Sequence, residues 1–189
     1  MAPKFPVEVL WCGNRSVSMR RNGWSFPPAV ANRIKADVEG QTVLHLFGGR
    51  ATFGTRMDID PLTNPDVVGD AWLPPFARDS FDVVVLDPPY VRLNQQEKNT
   101  LLRRAAWIAR QRLIWFHVMW VAADRFLRQE KAYLVRVGDA CQVRCLQYFT
   151  VSPEKSEPDW CATHGPAVRY NRWVIQPQGL PFPVEARAR

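Results

Sequence analysis

The run Phe81-Asp82-Val83-Val84-Val85-Leu86 is followed at once by Asp87-Pro88-Pro89-Tyr90. Nearly unbroken apolar residues over six positions predict a strand buried on both faces, as in parallel sheets clad by helices. Proline lacks an amide hydrogen and fixes φ, so the pair at 88 and 89 ends the strand. An acid and an aromatic ring are thereby presented at its carboxyl tip. Sheets of this kind bind ligands beyond the carboxyl ends of their strands.

The rest of the chain alternates in the same way. Val30, Ile34 and Val38 recur at spacing four behind Pro27-Pro28, with Gly40 as a stop, which predicts a helix. Thr42 to Phe47 reads as a buried strand ending at Gly48-Gly49. Thr55 to Asp60 reads as a second strand, Asp66 to Val68 as a short third before Gly69-Asp70, and Ser80 to Leu86 as the fourth. Gln95 to Arg110 carries a helical stripe of Leu101, Leu102, Ala105, Ile108 and Ala109. Leu113 to Met119 is predicted as a fifth strand and Asp124 to Lys131 as a helix. Tyr133 to Val137 and Gln142 to Val151 are predicted as two strands joined around Gly138-Asp139, a hairpin signal. Alternating strands and helices predict an α/β fold with a mostly parallel sheet. The chain has 189 residues, 47% of them hydrophobic, enough for one well-cored domain. That domain is placed at 1–176, with its motif core at about 26–151 and a flexible tail at 177–189. Residues 1–26 are mixed and yield no element.

Composition narrows the function classes. No apolar stretch reaches the length of a membrane span, and the opening MAPKFPVEVLW lacks the apolar core of a signal peptide, so a cytoplasmic protein is expected. Four cysteines are too few for a disulfide scaffold. Cys141 and Cys145 lie in a stretch that reads as strand from Gln142 on, which sets them about 13 Å apart, too far to share a tetrahedral ion. Cys161-Ala-Thr-His164 is the other zinc-like spacing; buried or free thiols are expected and no metal is assigned. The net charge of +7, with arginines beside eight tryptophans, suits a polyanionic partner.

A glycine turn, an acid, a Gly-Asp and Asp-Pro-Pro-Tyr thus stand at successive strand ends in fixed order. This set resembles the class I S-adenosylmethionine-dependent methyltransferases, especially those that methylate exocyclic amines. The resemblance implies a Rossmann-like, mostly parallel seven-stranded sheet with helices on both faces and a terminal antiparallel hairpin, and S-adenosyl-L-methionine as cofactor. It implies that Phe47, Gly48 and Gly49 hold the methionine part, where a Cβ would collide. Asp58 is implied as the acceptor-only group for both ribose hydroxyls, with Asp60 as a competing choice. Asp70, beside Ala71, is implied to receive the adenine amino group. Phe26 before Pro27-Pro28 is similar to the aromatic-proline motif near the methionine. The chain also departs from the family. His45 stands where an acid is usual and is read equally as a core histidine or a cofactor contact. Ala51 stands where a third glycine is common. Only Arg50 to Gly54 remain where a crossover helix belongs.

The resemblance extends to mechanism. Asp87 and the Pro88 carbonyl accept the two hydrogens of an amine, Pro89 stiffens the spacing, and Tyr90 stacks on a base taken out of its helix. Adenine in DNA is the implied substrate. An RNA amine (adenine or guanine), a protein glutamine, or a non-catalytic nucleic-acid-binding partner subunit are the alternatives. Arg15, Arg20, Arg21 and Arg92 are candidate phosphate contacts, as are Arg169 and Arg172 in the tail. The partner expected is nucleic acid, DNA before RNA, and no membrane; a homodimer or a partner subunit stays open. No room is left for a large target-recognition domain.

Overall fold

A computed structural model describes residues 5–12, 26–88, 93–118, 120–123, 125–136 and 143–155, all within one compact unit, Met1–Pro158. The boundary expected at 176 and the tail at 177–189 lie outside the described residues. Eight strands form one sheet: β1 (Val7–Trp11), β2 (Val43–Leu46), β3 (Thr55–Asp58), β4 (Val67–Val68), β5 (Phe81–Leu86), β6 (Ala109–His117), β7 (Leu127–Arg136) and β8 (Val143–Val151). Their spatial order is β1-β7-β8-β6-β5-β2-β3-β4. Every neighbouring pair is parallel except those that β8 makes with β6 and β7. The mostly parallel sheet with a closing antiparallel pair is as expected. It has eight strands rather than seven, because Val7–Trp11 adds an edge strand beside β7. Five residues with an exposed apolar face gave too short an alternation to be read as a strand.

One helix covers each face. Helix α1 (Pro28–Asp37) starts at Pro27, whose ring fixes the entry φ. Its Val30 and Ile34, with Val38 at its C-cap, are buried among Val43, Val83, Val85, Ile114 and Tyr148. The spacing of four predicted this stripe, and each such side chain contributes about 1.5–3 kcal/mol by burial. Helix α2 (Gln95–Ile108) lies on the opposite face, where Leu101, Leu102, Ala105 and Ile108 pack with Val84, Leu86, Leu113 and Trp115. Asn94 and Glu97 form a reciprocal capping box: Glu97 N–H donates to Asn94 Oδ1 at 2.9 Å and Asn94 N–H donates to Glu97 Oε2 at 2.8 Å. The helix runs directly into β6 at Ala109.

The helix expected at Asp124 to Lys131 is not there. From Leu127 onward this stretch is the first half of β7, laddered to β8 from Leu127↔Val151 to Arg136↔Val143. Its residues favour a helix locally, but ten residues of ladder outweigh propensity. A register shift between Gln129 and Lys131 accommodates the mismatch. The passage from β6 to β7 is instead held by buried Gln147. Its amide donates to the Val121 carbonyl and accepts from the Val121 N–H, both at 2.9 Å. The turn expected at Gly138-Asp139 lies outside the described residues.

Side chains also fix where strands begin. Asp82 Oδ2 accepts from the Thr42 N–H (2.9 Å) and hydroxyl (2.7 Å), and the Thr42 oxygen accepts from the Asp82 N–H (2.9 Å). These bonds hold the Asp82 carboxyl below its usual range, Thr42 amide first, and tie the starts of β2 and β5. Asp66 likewise accepts from the Arg56 N–H at 2.8 Å and pins β4 to β3. The β2–β3 link contains no helix. Gly54 closes it at φ +70°, where a Cβ would lie 2.8 Å from the Val43 carbonyl oxygen. Beside this link, along α1, a surface hollow of 470 Å³ is lined by Lys35, Glu39, Val43 and Phe53. No helix among the described residues is long and apolar enough to cross a membrane.

Candidate active site

The ladder registers bring distant sequence features to one level. Leu46 pairs with both Met57 and Leu86, and Asp58 pairs with Val68. Counting one residue on, Phe47, Asp58, Val68 and Asp87 share a single row across β5, β2, β3 and β4. Two strand steps, about 9–10 Å, separate Asp87 from Asp58. Gly48-Gly49 and Gly69-Asp70 follow just beyond the row.

The turn after β2 is built for close approach. Phe47 takes the left-handed conformation, φ +63°, which bends the chain toward β3. Gly48 N–H then donates to the Met57 carbonyl at 2.7 Å. A Cβ on Gly48 would stand 2.8 Å from Arg56 Cβ and 3.1 Å from its Cα. The glycine is thus demanded by β3, whatever binds above it. Gly49 N–H donates to Asp58 Oδ2 at 2.8 Å, and Asp60 N–H donates to Asp58 Oδ1 at 2.9 Å. Each Asp58 oxygen keeps a second lone pair for a donor on the open side. Asp60 is engaged elsewhere: its Oδ1 accepts from Leu62 N–H at 2.9 Å and caps the short 3₁₀ turn Pro61–Thr63.

Asp70 Oδ1 accepts from Trp72 N–H at 2.8 Å. Its Oδ2 is buried and has no hydrogen-bond partner. A buried carboxylate oxygen left unmatched costs about 1–3 kcal/mol, so this atom calls for a donor. Arg104, buried on α2, feels the Asp70 charge. Burial pulls the Arg104 guanidinium below its ordinary range, and Asp70 pulls it back up. The sequence reading passed over Arg104. Its signal was a charge at the i+3 position of the Leu101, Ala105, Ile108 stripe.

Other candidates sit deeper. His45 is 1% exposed, lies edge-on to Phe53 (4.7 Å between centroids) and lies 5.8 Å from Phe26. Neither imidazole nitrogen makes a well-formed hydrogen bond. Burial lowers its pKa to about 4; the Phe53 carbonyl opposes this weakly and Arg56 reinforces it. It is therefore neutral at pH 7 and packed against Phe26 and Phe53. Phe26 also packs on Phe116 at 5.6 Å and is buried. Ala71 is buried on the α2 face. Asp87 is half-buried and Pro88 buried. Pro89, Tyr90 and Arg92 lie outside the described residues, as do Arg15, Arg20, Arg21, Arg169 and Arg172. Among the cysteines, Cys145 is buried and its thiol donates to the His117 carbonyl at 3.0 Å, with burial raising its pKa to about 12. Cys141 and Cys161 lie outside the described residues.

No protein-family model matches the chain, and no curated protein matches it by sequence. Solved structures match it by shape. One is the 1,6-didemethyltoxoflavin-N1-methyltransferase of Burkholderia thailandensis, solved with 1,6-didemethyltoxoflavin and S-adenosylhomocysteine bound: TM-score 0.53, 11% identity, covering 66% of this chain and 77% of that one. Another is the chain solved in complex with the Trm112 methyltransferase activator of Haloferax volcanii: TM-score 0.50, 14% identity, covering 67% of this chain and 90% of that one. A third is the PH0226 protein of Pyrococcus horikoshii: TM-score 0.50, 14% identity, covering 65% of this chain and 88% of that one. At such identities the likeness speaks for the fold, and the fold is the Rossmann-like one of the class I methyltransferases.

Proposed function

We propose that this chain transfers a methyl group from S-adenosylmethionine to the exocyclic amine of adenine in DNA. The observation that supports the reading is the row Phe47, Asp58 and Asp87, which sets two acids on one rim about two strand steps apart, a spacing that suits a nucleoside at one and an amine at the other. The residues present fit the cofactor. Asp58 offers a free lone pair on each oxygen to a ribose diol, the orphaned Asp70 Oδ2 offers an acceptor to an adenine amine, and Gly48-Gly49 leaves backbone exposed at the turn. When bound, S-adenosylmethionine supplies the methyl group, carried on a sulfonium sulfur that leaves with the bonding pair.

The protein's own work is positioning. An adenine amine is a poor nucleophile because its lone pair is delocalised into the ring. Asp87 accepting one amine hydrogen and the Pro88 carbonyl accepting the other favour the tetrahedral nitrogen over the flat one. Tyr90 supplies a stacking face for a base drawn out of its helix. The spelling Asp-Pro-Pro-Tyr and the net charge of +7 support nucleic acid, and adenine in DNA, over a protein substrate. Phe26 and His45, 5.8 Å apart between ring centroids, are proposed as further cofactor contacts.

The test is mass spectrometry of nucleosides after incubation with cofactor and either DNA or RNA. N6-methyladenine is expected from DNA, and Asp87→Ala abolishes it while cofactor binding persists. Methylated nucleoside from RNA alone overturns the DNA assignment. The helix-free β2–β3 link favours one second reading, a non-catalytic partner subunit. Calorimetric titration that shows no binding of S-adenosylmethionine selects that reading instead.

A further inference from the structure

The open edge of the sheet is self-complementary. At its two ends, β1 bonds to β7 through the Pro6 carbonyl, which accepts from Ala132 N–H, and through the Cys12 N–H, which donates to the Arg136 carbonyl, both at 3.0 Å. Backbone direction alternates along a strand, so Glu8 and Leu10 also turn their N–H and C=O toward β7. Val7, Val9 and Trp11 turn theirs outward. Among the described residues nothing pairs with that side, where β1 ends the strand order.

The side chains of the same three residues share one face and are exposed: Val7 at 41%, Val9 at 72% and Trp11 at 49%. Leu134, paired with Val9 in the ladder, adds a fourth exposed apolar group at 39%. Helix α2 lies mainly against β5 and β6 on this face. Sheet edges are normally guarded by charge, proline or shortness. The opposite edge, β4, is two residues long. β1, VEVLW, carries a single charge, Glu8, on the face opposite Val7, Val9 and Trp11, so no charge stands among those three side chains.

We infer that β1 pairs with β1 of a second copy, antiparallel and centred on Val9, forming a two-fold dimer with a continuous sheet. This register satisfies the whole edge. Val7 of one copy lies opposite Trp11 of the other, and Val9 opposite Val9, each as a hydrogen-bonded pair. Every outward N–H and C=O of both copies is then matched; shifting the centre to Val7 or Trp11 leaves some unpaired. The apolar faces meet Val7 to Trp11 and Val9 to Val9. On the other face Glu8 meets Leu10, so the edge's acid does not face its own copy. A two-fold closes after two copies, so no filament results. Antiparallel pairing also points the two strand-end rims in opposite directions. Each site keeps its own substrate, and dimerisation leaves activity per subunit unchanged. The inference stands apart from the methyltransferase reading.

The test is sedimentation equilibrium of the full chain, whose mass is 21.7 kDa. A species of twice that mass is expected. Val9→Lys puts like charges opposite each other on the axis and weakens the dimer by about tenfold or more, as does Val9→Glu. Mixing the two variants restores it, because position 9 faces position 9. Val9→Pro removes only an outward N–H, leaves the β7 ladder intact and gives a folded monomer; circular dichroism confirms folding. A wild-type monomer at all concentrations overturns the inference, including a monomer whose amides at 7, 9 and 11 are protected by its own chain. So does a dimer indifferent to Val9→Lys, a mixture that stays monomeric, or open-ended oligomers.

Discussion

His45 should make the fold sensitive to mild acid. Its pKa falls from 6.5 to about 4 because burial disfavours the imidazolium, with the Phe53 carbonyl too weak a partner to restore it. Above pH 7 the ring is neutral in both states and protonation contributes nothing. Below pH 6.5 the unfolded chain takes up the proton while the folded chain does not. Stability therefore falls with pH through the window from 6.5 to about 4 and levels off once the folded ring protonates as well. The span of roughly 2.5 units corresponds to about 3 kcal/mol, a large share of a marginal total. Urea unfolding of the wild type and of His45→Leu, at half-unit steps from pH 7.5 to 4, measures it. Leucine has no proton to gain, so the variant curve stays about 3 kcal/mol flatter. At pH 7 the variant should be as stable as the wild type or more so, since it removes two buried nitrogens that lack well-formed bonds. Parallel pH profiles for the two proteins would refute the argument, because they would mean that His45 has a partner that charges with it.

Gly48→Ala should destabilise by about 1–3 kcal/mol in urea, because its Cβ meets Arg56 Cβ at 2.8 Å and backbone at 3.1 Å. Unchanged stability would show that β3 does not press on this turn. Asp70→Asn keeps an oxygen for the Trp72 N–H but turns an amide donor toward the site. Calorimetric affinity for S-adenosylhomocysteine should fall by about tenfold to a hundredfold, with a fall in the urea midpoint as well because buried Arg104 loses a compensating charge. Undiminished affinity would free Asp70 from that role.

The sequence made the row of strand ends legible because each end was marked by a breaker: glycines after β2 and β4, an Asp-Pro after β3, two prolines after β5. Those marks are local chemistry and need no tertiary knowledge. The closing antiparallel pair was implied by the family likeness, whereas the spatial order of the strands comes from the ladders. What escaped was set by partners distant in sequence. Asp124 to Lys131 looks helical until β8 lies beside it, and only the ladder shows the pairing from Leu127 onward. Val7–Trp11 is too short to announce itself without β7. Arg104 looks like a blemish in an apolar stripe until Asp70 is seen nearby. In the string Met-Asp-Ile-Asp-Pro the first acid fits the family better, but Asp60 stays a competing choice. The structure separates them because β3 ends at Asp58, whose carboxylate turns to the Gly49 N–H, while Asp60 lies past the strand and caps the 3₁₀ turn.

Among the described residues four connections, β2 to β3, β3 to β4, β4 to β5 and β6 to β7, lack the α-helices that such crossovers normally carry. The loss affects cover more than site. A crossover helix shields a sheet face, and where it is missing the chain substitutes smaller devices: Gly54 folded against Val43, and Gln147 gripping Val121 like a piece of strand. The level of the strand ends depends on none of these. It is set where the strands begin, by Thr42 with Asp82 and Arg56 with Asp66, and is carried up the ladders one residue at a time. A short chain can therefore keep the geometry of a full-sized rim while leaving apolar sheet uncovered elsewhere. Uncovered sheet is a liability unless something meets it. On that argument the exposed β1 edge and the intact row of acids are two results of one economy of chain length, the first calling for a second copy and the second needing none.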